Sequence, residues 1–252
     1  MKTAELYRKI SEIIPKELCC SWDNDGLSVL PSPDHESRRI LFALDATLPC
    51  IEYAHDNGFD TIITHHPLIF RPLGELNGSG AVSRRALKLI SYDIAHMSFH
   101  TRFDSFDGGT NAVICELFGI KDAARFGPAG EEVGRCGKIR EISFDRFAAK
   151  VGKTLGTAHF SVSKAKDKVS KIAVCTGSGS GMTAPALAAG ADVLICGELG
   201  YHETIDTKEL GLSVICAGHY ETEFLAMSAL ADVVLKIGAF ETEIYKETDN
   251  AL

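Results

Sequence analysis

Long apolar runs are missing from this 252-residue chain: no stretch approaches the roughly 18–20 uninterrupted apolar residues that span a bilayer. The amino-terminal segment MKTAELYRKISEIIPKEL has its apolar residues at helical spacing and does not read as a secretory leader. A cytoplasmic protein with no membrane partner is expected. Runs of Lys or Arg are also missing, and 34 acidic against 26 basic residues leave a net charge of −8 at pH 7. That disfavours a nucleic-acid partner and an anionic-membrane anchor. The eight cysteines include no CxxC pair and are scattered, so reduced thiols are expected in place of a disulfide framework. What is present is ordinary for a globular protein, with 45% hydrophobic and 24% charged residues, which excludes disorder for most of the chain. The length suits two modest lobes or one large one. The nine histidines stand out, because several fall in tight groups with carboxylates.

Thr3 can cap a first helix carrying Leu6, Ile10, Ile13 and Ile14, which Pro15 stops. After a loop around Trp22, Asp23, Asn24 and Asp25, short apolar runs alternate with helical stretches. Strands are expected over 39–45, 60–64 and 94–99, with helices over 49–57, 83–91 and 108–117 between and after them. The segment 121–137, charged and glycine-containing, reads as the boundary between lobes. Three similar strands follow at 171–177, 192–198 and 213–219. A long helix over 220–236, an edge strand at 242–245 and a loose polar tail, ETDNAL, complete the chain. The reading is an α/β fold of two lobes with mostly parallel sheets and helices on both faces. The first lobe covers 1–126, joined by the returning segment 224–252, and the second covers 127–223.

The polar residues that matter fall at the carboxyl ends of these strands, where open α/β sheets bind ligands. His65 and His66 follow the strand 60–64, and adjacent residues leaving a strand point in opposite directions, so each would serve one of two neighbouring ions. His219 and Glu223 are four residues apart at the start of a helix and share its face. His100 and Asp104 have the same spacing in a loop. Each pair alone arises often by chance, but together His65, His66, His100, Asp104, His219 and Glu223 suffice for two divalent ions placed between the lobes. Nitrogen and oxygen donors without thiolate suit Zn, Fe, Mn or Ni. Such ions activate water, and their charge would draw a small anionic substrate to an otherwise acidic protein.

The motifs SWDNDGL (21–27), ALDAT (43–47), THHPLIF (64–70), HTRFDSFDGGTN (100–111), GRCGKI (134–139), GELGYHE (197–203) and AGHYETE (217–223) occur in an order that resembles the Nif-three-like family of dinuclear metal proteins, the type 2 GTP cyclohydrolase homologues. The resemblance spans nearly the whole chain, in a short form without an inserted domain. It implies a toroidal homohexamer and a two-metal site of His65, His66, Asp104, His219 and Glu223, with His100 close by. It further implies a hydrolase acting on a small anionic or nucleotide-like substrate. The chain departs from the family pattern at His202-Glu203, where two consecutive histidines are usual, and at Leu30-Pro31.

His100, Glu198 and His202 are the candidate catalytic residues, Glu198 and His202 as a carboxylate behind a ligand or as proton carriers. Asp45 is a possible partner for a ligating histidine. Trp22, Asp23 and Asn24 form either a substrate-facing loop or a capped turn. Residues 176–181, TGSGSG, match no phosphate-binding fingerprint and read as a tight turn near enough to touch a phosphate. Cys175, Cys196 and Cys216 read as buried strand residues. A non-catalytic metal-binding protein and a regulatory scaffold are the alternatives.

Overall fold

The computed structural model describes residues 1–157 and 159–247; most of the carboxyl-terminal tail expected to be loose lies outside the described residues. The chain forms two compact units, Met1–Phe103 with the chain from Met227 onward, and Asp104–Ala226. No helix among the described residues is long and apolar enough to cross a membrane.

The first unit has a five-stranded sheet in the order β1 (Leu27–Val29), β4 (Ala95–Ser98), β3 (Thr61–Thr64), β2 (Arg39–Ala43), β11 (Glu241–Ile244). Only β1 runs antiparallel to its neighbour. Every residue of β3 and β4 is buried, as a strand covered on both faces requires. Helices α2 (Leu48–Asp56) and α3 (Ala81–Ser91) cover the face carrying Leu41 and Ile62. The helix α10 (Met227–Leu235) packs on β2 and β11 and meets α1 (Thr3–Ile13). Thr47 caps α2 by accepting from the Cys50 amide at 3.2 Å. Thr3 is not a cap. It is the first residue of α1, buried, with its hydroxyl on His35 Nδ1 and Ser37 Oγ at 2.7 and 2.8 Å.

The second unit has a six-stranded sheet, β5 (Lys121–Phe126), β6 (Gly134–Ser143), β8 (Lys168–Ser178), β9 (Val193–Glu198), β10 (Ser213–Cys216), β7 (Ser161–Ser163). The expected parallel triplet is β8–β9–β10, but β5, β6 and β7 add antiparallel pairings, so this sheet is mixed and not mostly parallel. The segment expected to be a linker is the β5–β6 hairpin at the sheet edge, whose short loop forces antiparallel pairing. An edge strand is charged because one side faces water, and that composition mimics a linker. The boundary therefore falls at Phe103/Asp104, ahead of the expected 126. Helix α5 (Thr110–Phe118) buries Ile114, Cys115 and Phe118 with α6 (Phe144–Leu155) against Ile172, Val174 and Ile195 of the second sheet. The opposite face, with Ala173, Cys175 and Leu194, is packed by Met182 and by Ala186 of α7 (Thr183–Ala188), while α8 (Tyr201–Glu209) packs on β10. The helix expected over 220–236 is two: α9 (His219–Phe224) belongs to the second unit, and the chain turns at Leu225-Ala226 before α10 returns to the first.

Candidate metal centre

In the first unit three imidazoles converge. The chain bends as it leaves β3, with the His65 amide donating to Ala43 O and the His66 amide to Leu44 O, at 3.3 and 3.0 Å. That bend overrides strand alternation, and the two rings stand together with centroids 5.1 Å apart. His100 follows β4 and opens α4 (Thr101–Ser105); its ring lies 5.2 Å from His65 and 5.5 Å from His66. One nitrogen from each ring can be chosen so that all three lie within 4.8 Å of one another.

Each ring is oriented from behind. Nδ1 of His65 meets Phe99 O at 3.0 Å, Nδ1 of His66 meets Asp45 Oδ1 at 3.0 Å, and Nδ1 of His100 meets Asp23 Oδ1 at 2.9 Å. Carbonyl and carboxylate oxygens only accept, so Nδ1 carries the proton in each ring and Nε2 keeps its lone pair. An imidazole held this way by an oxygen acceptor is the usual arrangement of a metal-ligating histidine. Asp23 also takes the Thr101 amide and hydroxyl, at 3.1 and 2.6 Å. Burial would raise its carboxyl, but His100 and Thr101 outweigh burial and hold it below the usual carboxylate range. Asp25, two residues on, takes the His100 amide at 3.1 Å and the fully buried Arg102 Nε at 2.8 Å. The loop after α1 is therefore scaffolding for His100. Trp22 remains exposed, with its ring 6.1 Å from Phe70 and 6.2 Å from His100.

In the second unit the donors are one imidazole and two carboxylates. His219 and Glu223 stand one turn apart on α9, with Nε2 and Oε2 separated by 3.2 Å, and Glu198 Oε1 sits 3.2 Å behind His219 Nδ1. This fourth ring thus repeats the orientation of the other three. Glu223 is buried, and Gly177 makes room for it: a Cβ there would lie 2.0 Å from Glu223 Oε1 and 3.0 Å from His219 Nε2. Gly177 also has φ +65°, and its amide donates to Thr222 Oγ1 at 3.0 Å. Asp104 is held by the Thr110 hydroxyl, which in turn accepts from Thr176 Oγ1 at 2.9 Å. Oxygens of Asp104 and Glu223 lie within 4.8 Å.

The other candidates are placed differently. Glu198 stands behind His219 and is largely exposed, and His202 is exposed in the first turn of α8 with Tyr201 as its ring neighbour at 5.3 Å. Neither belongs to the converging donor groups among the described residues. Glu203 reaches the glycine-rich turn, accepting from Ser180 Oγ at 3.0 Å and the Gly181 amide at 2.9 Å. Thr110 stands in one of the quoted motifs and Thr176-Gly177 in the glycine-rich turn, but the contacts they make here, to Asp104, Thr110 and Glu223, depend on the fold and could not be read from the sequence.

Two mixed sheets flanked by helices, with oriented imidazoles and buried carboxylates on the segments that follow strands, define an α/β protein with side-chain groups that could hold a metal ion. The family model for Duf34/NIF3 (NGG1p interacting factor 3) matches residues 1–250, and the chain belongs to that family. A "GTP cyclohydrolase 1 type 2 homolog" of Methanocaldococcus jannaschii is 34% identical over 229 residues, covering 90% of this chain and 92% of the relative. One of Streptococcus pneumoniae is 31% identical, covering 87% and 85%. Among solved structures, reduced HcgD from Methanocaldococcus jannaschii matches with a TM-score of 0.86 at 30% identity over 98% of both chains. The hypothetical protein SA1388 of Staphylococcus aureus matches with a TM-score of 0.88 at 24% identity, over 100% of this chain and 98% of that one.

Proposed function

We propose that the chain is a metal-dependent hydrolase that holds two divalent ions with His65, His66, Asp104, His219 and Glu223 and acts on a small anionic or nucleotide-like substrate. The single observation that carries this reading is the shared orientation of the three proposed ligand histidines, each tied at Nδ1 to an oxygen so that the lone pair is on Nε2, an orientation the neighbouring His100 repeats. Nitrogen and oxygen donors without thiolate fit Zn, Fe, Mn or Ni. When bound, such ions acidify a coordinated water and stabilise developing negative charge.

The residues of the chain do the rest. Asp23, Asp45 and Glu198 hold the protons on His100, His66 and His219 at Nδ1, keeping each ring in one tautomer. Glu198, exposed behind His219, and His202 are the groups proposed to exchange protons with solvent. Exposed Trp22 and Phe70 beside His100 offer flat faces on which a planar base could lie. The name of the curated relatives, GTP cyclohydrolase 1 type 2 homolog, supports a nucleotide-like substrate. A cytoplasmic location and a toroidal homohexamer belong to the same proposal.

The test is a panel of phosphoesters, nucleotides and cyclic amides offered to metal-loaded protein. Turnover of one class that disappears in His65→Ala/Glu223→Ala supports the reading. Metal binding without turnover of any class would move the protein to the non-catalytic metal-binding alternative.

A further inference from the structure

Three of the eight cysteines lie side by side in the second unit. Cys175, Cys196 and Cys216 share one register across the parallel strands β8, β9 and β10 and so face the same side of the sheet. They are not equivalent. Cys175 Sγ turns to Ser178 O at 3.5 Å, whereas Cys196 Sγ and Cys216 Sγ are 3.8 Å apart. In-register neighbours on adjacent strands have Cα atoms about 4.8 Å apart, within the roughly 4.4–6.8 Å that a disulfide spans. Closing this bond takes side-chain rotation without separating the strands.

The two thiols differ in access and acidity. Cys196 is fully buried, and a Cβ at Gly179 would sit 2.8 Å from its sulfur. Cys216 lies opposite Ser161 of the edge strand β7. Ser161 and Leu199 line a groove of about 820 Å³ with Tyr201, Thr204 and Ile205, and Cys216 behind them is 8% exposed where Cys196 is 0%. The hydrogen bond from Cys196, with others from the Ser161 hydroxyl and the Leu199 amide, lowers the Cys216 thiol against the opposing effect of burial. Its partner Cys196 is pushed the other way by the same hydrogen bond and by burial.

We propose that Cys196 and Cys216 form a redox-modification site at which hydrogen peroxide converts the pair to a reversible disulfide. The Cys216 thiolate attacks one peroxide oxygen and the O–O bond breaks. Hydroxide leaves and is protonated to water, and Cys216 becomes a sulfenic acid. The Cys196 sulfur then attacks that sulfur, the S–O bond breaks, and a second water departs with the Cys196 proton. The two thiols together give up two electrons and two protons, and a dithiol reductant returns them.

Full-length protein treated with limiting hydrogen peroxide, blocked with iodoacetamide and digested with trypsin tests the proposal. Lys208 lies between the two cysteines, so the bond joins two tryptic peptides. The expected leading product is the Cys196–Cys216 cross-link, removed by dithiothreitol and absent from Cys216→Ser. In untreated protein, iodoacetamide should modify Cys216 at least about tenfold faster than the other cysteines. Cys19 is the control for exposure alone, because burial and the neighbouring Asp25 and Asp23 push its thiol up to about 12 although it is not fully buried. Both wild-type readouts stand even where a variant fails to fold. Peroxide that carries Cys216 to a sulfinic acid without the cross-link, or that oxidises another cysteine first, overturns the proposal.

Discussion

Gly177→Ala is the substitution with the most clearly defined consequence. The residue sits at φ +65°, where an L side chain costs about 1–2 kcal/mol. Its new Cβ would lie 2.0 Å from Glu223 Oε1, while ordinary contact begins near 3.4 Å, so the carboxylate has to withdraw by about 1.4 Å. Metal-ligand distances tolerate only about 0.2 Å. The variant should therefore lose Glu223 as a ligand, with at least a tenfold to hundredfold fall in metal affinity. The backbone strain alone should lower Tm by roughly 2–8 °C. Gly119→Ala is the matched control, with φ +71° and no atom within 4 Å of the added carbon. Calorimetry of both metal-free variants, and titration of both with Zn or Mn, separates strain from displacement. Metal affinity in Gly177→Ala equal to that of Gly119→Ala would refute the reasoning.

Asp45→Asn keeps the shape of the side chain but removes the charge that orients His66; a tenfold or greater loss of metal affinity with little change in fold is expected, read by competition with a chromogenic chelator. Burial pushes His96 down to about 3, so it stays neutral in the folded protein while the unfolded chain takes up a proton below about 6.5. Stability from this residue is complete above that value and falls as pH drops towards 3, by up to about 1.4 kcal/mol per unit. Urea titrations of wild type and His96→Gln across this window should show a steeper fall in wild type, because carboxylates such as Asp23 contribute equally to both proteins. Trp22→Ala should raise KM for a substrate carrying a planar base several-fold, leaving metal content and Tm unchanged, because the ring is exposed.

Much of the donor set was legible because its residues stand in short motifs at strand ends. The buried β-branched run at 61–64 and the histidines after it could be read from local pattern alone, as could Asp45 as a partner for a histidine. Three things could not. The bend at His65-His66 is set by hydrogen bonds to the neighbouring strand, which linear alternation does not contain. The β5–β6 hairpin looked like a linker because an exposed edge strand and a linker have the same composition. Asp23 and Gly177 act on partners 77 and 46 positions away, His100 and Glu223, and such pairings exist only in the folded chain.

Metal content per chain, measured by elemental analysis on protein purified without added metal and again after loading with Zn, Mn or Fe, tests the central claim most directly. The account predicts about two divalent ions per wild-type chain after loading and a marked loss in His65→Ala/Glu223→Ala. Equal metal content in the two proteins would contradict it.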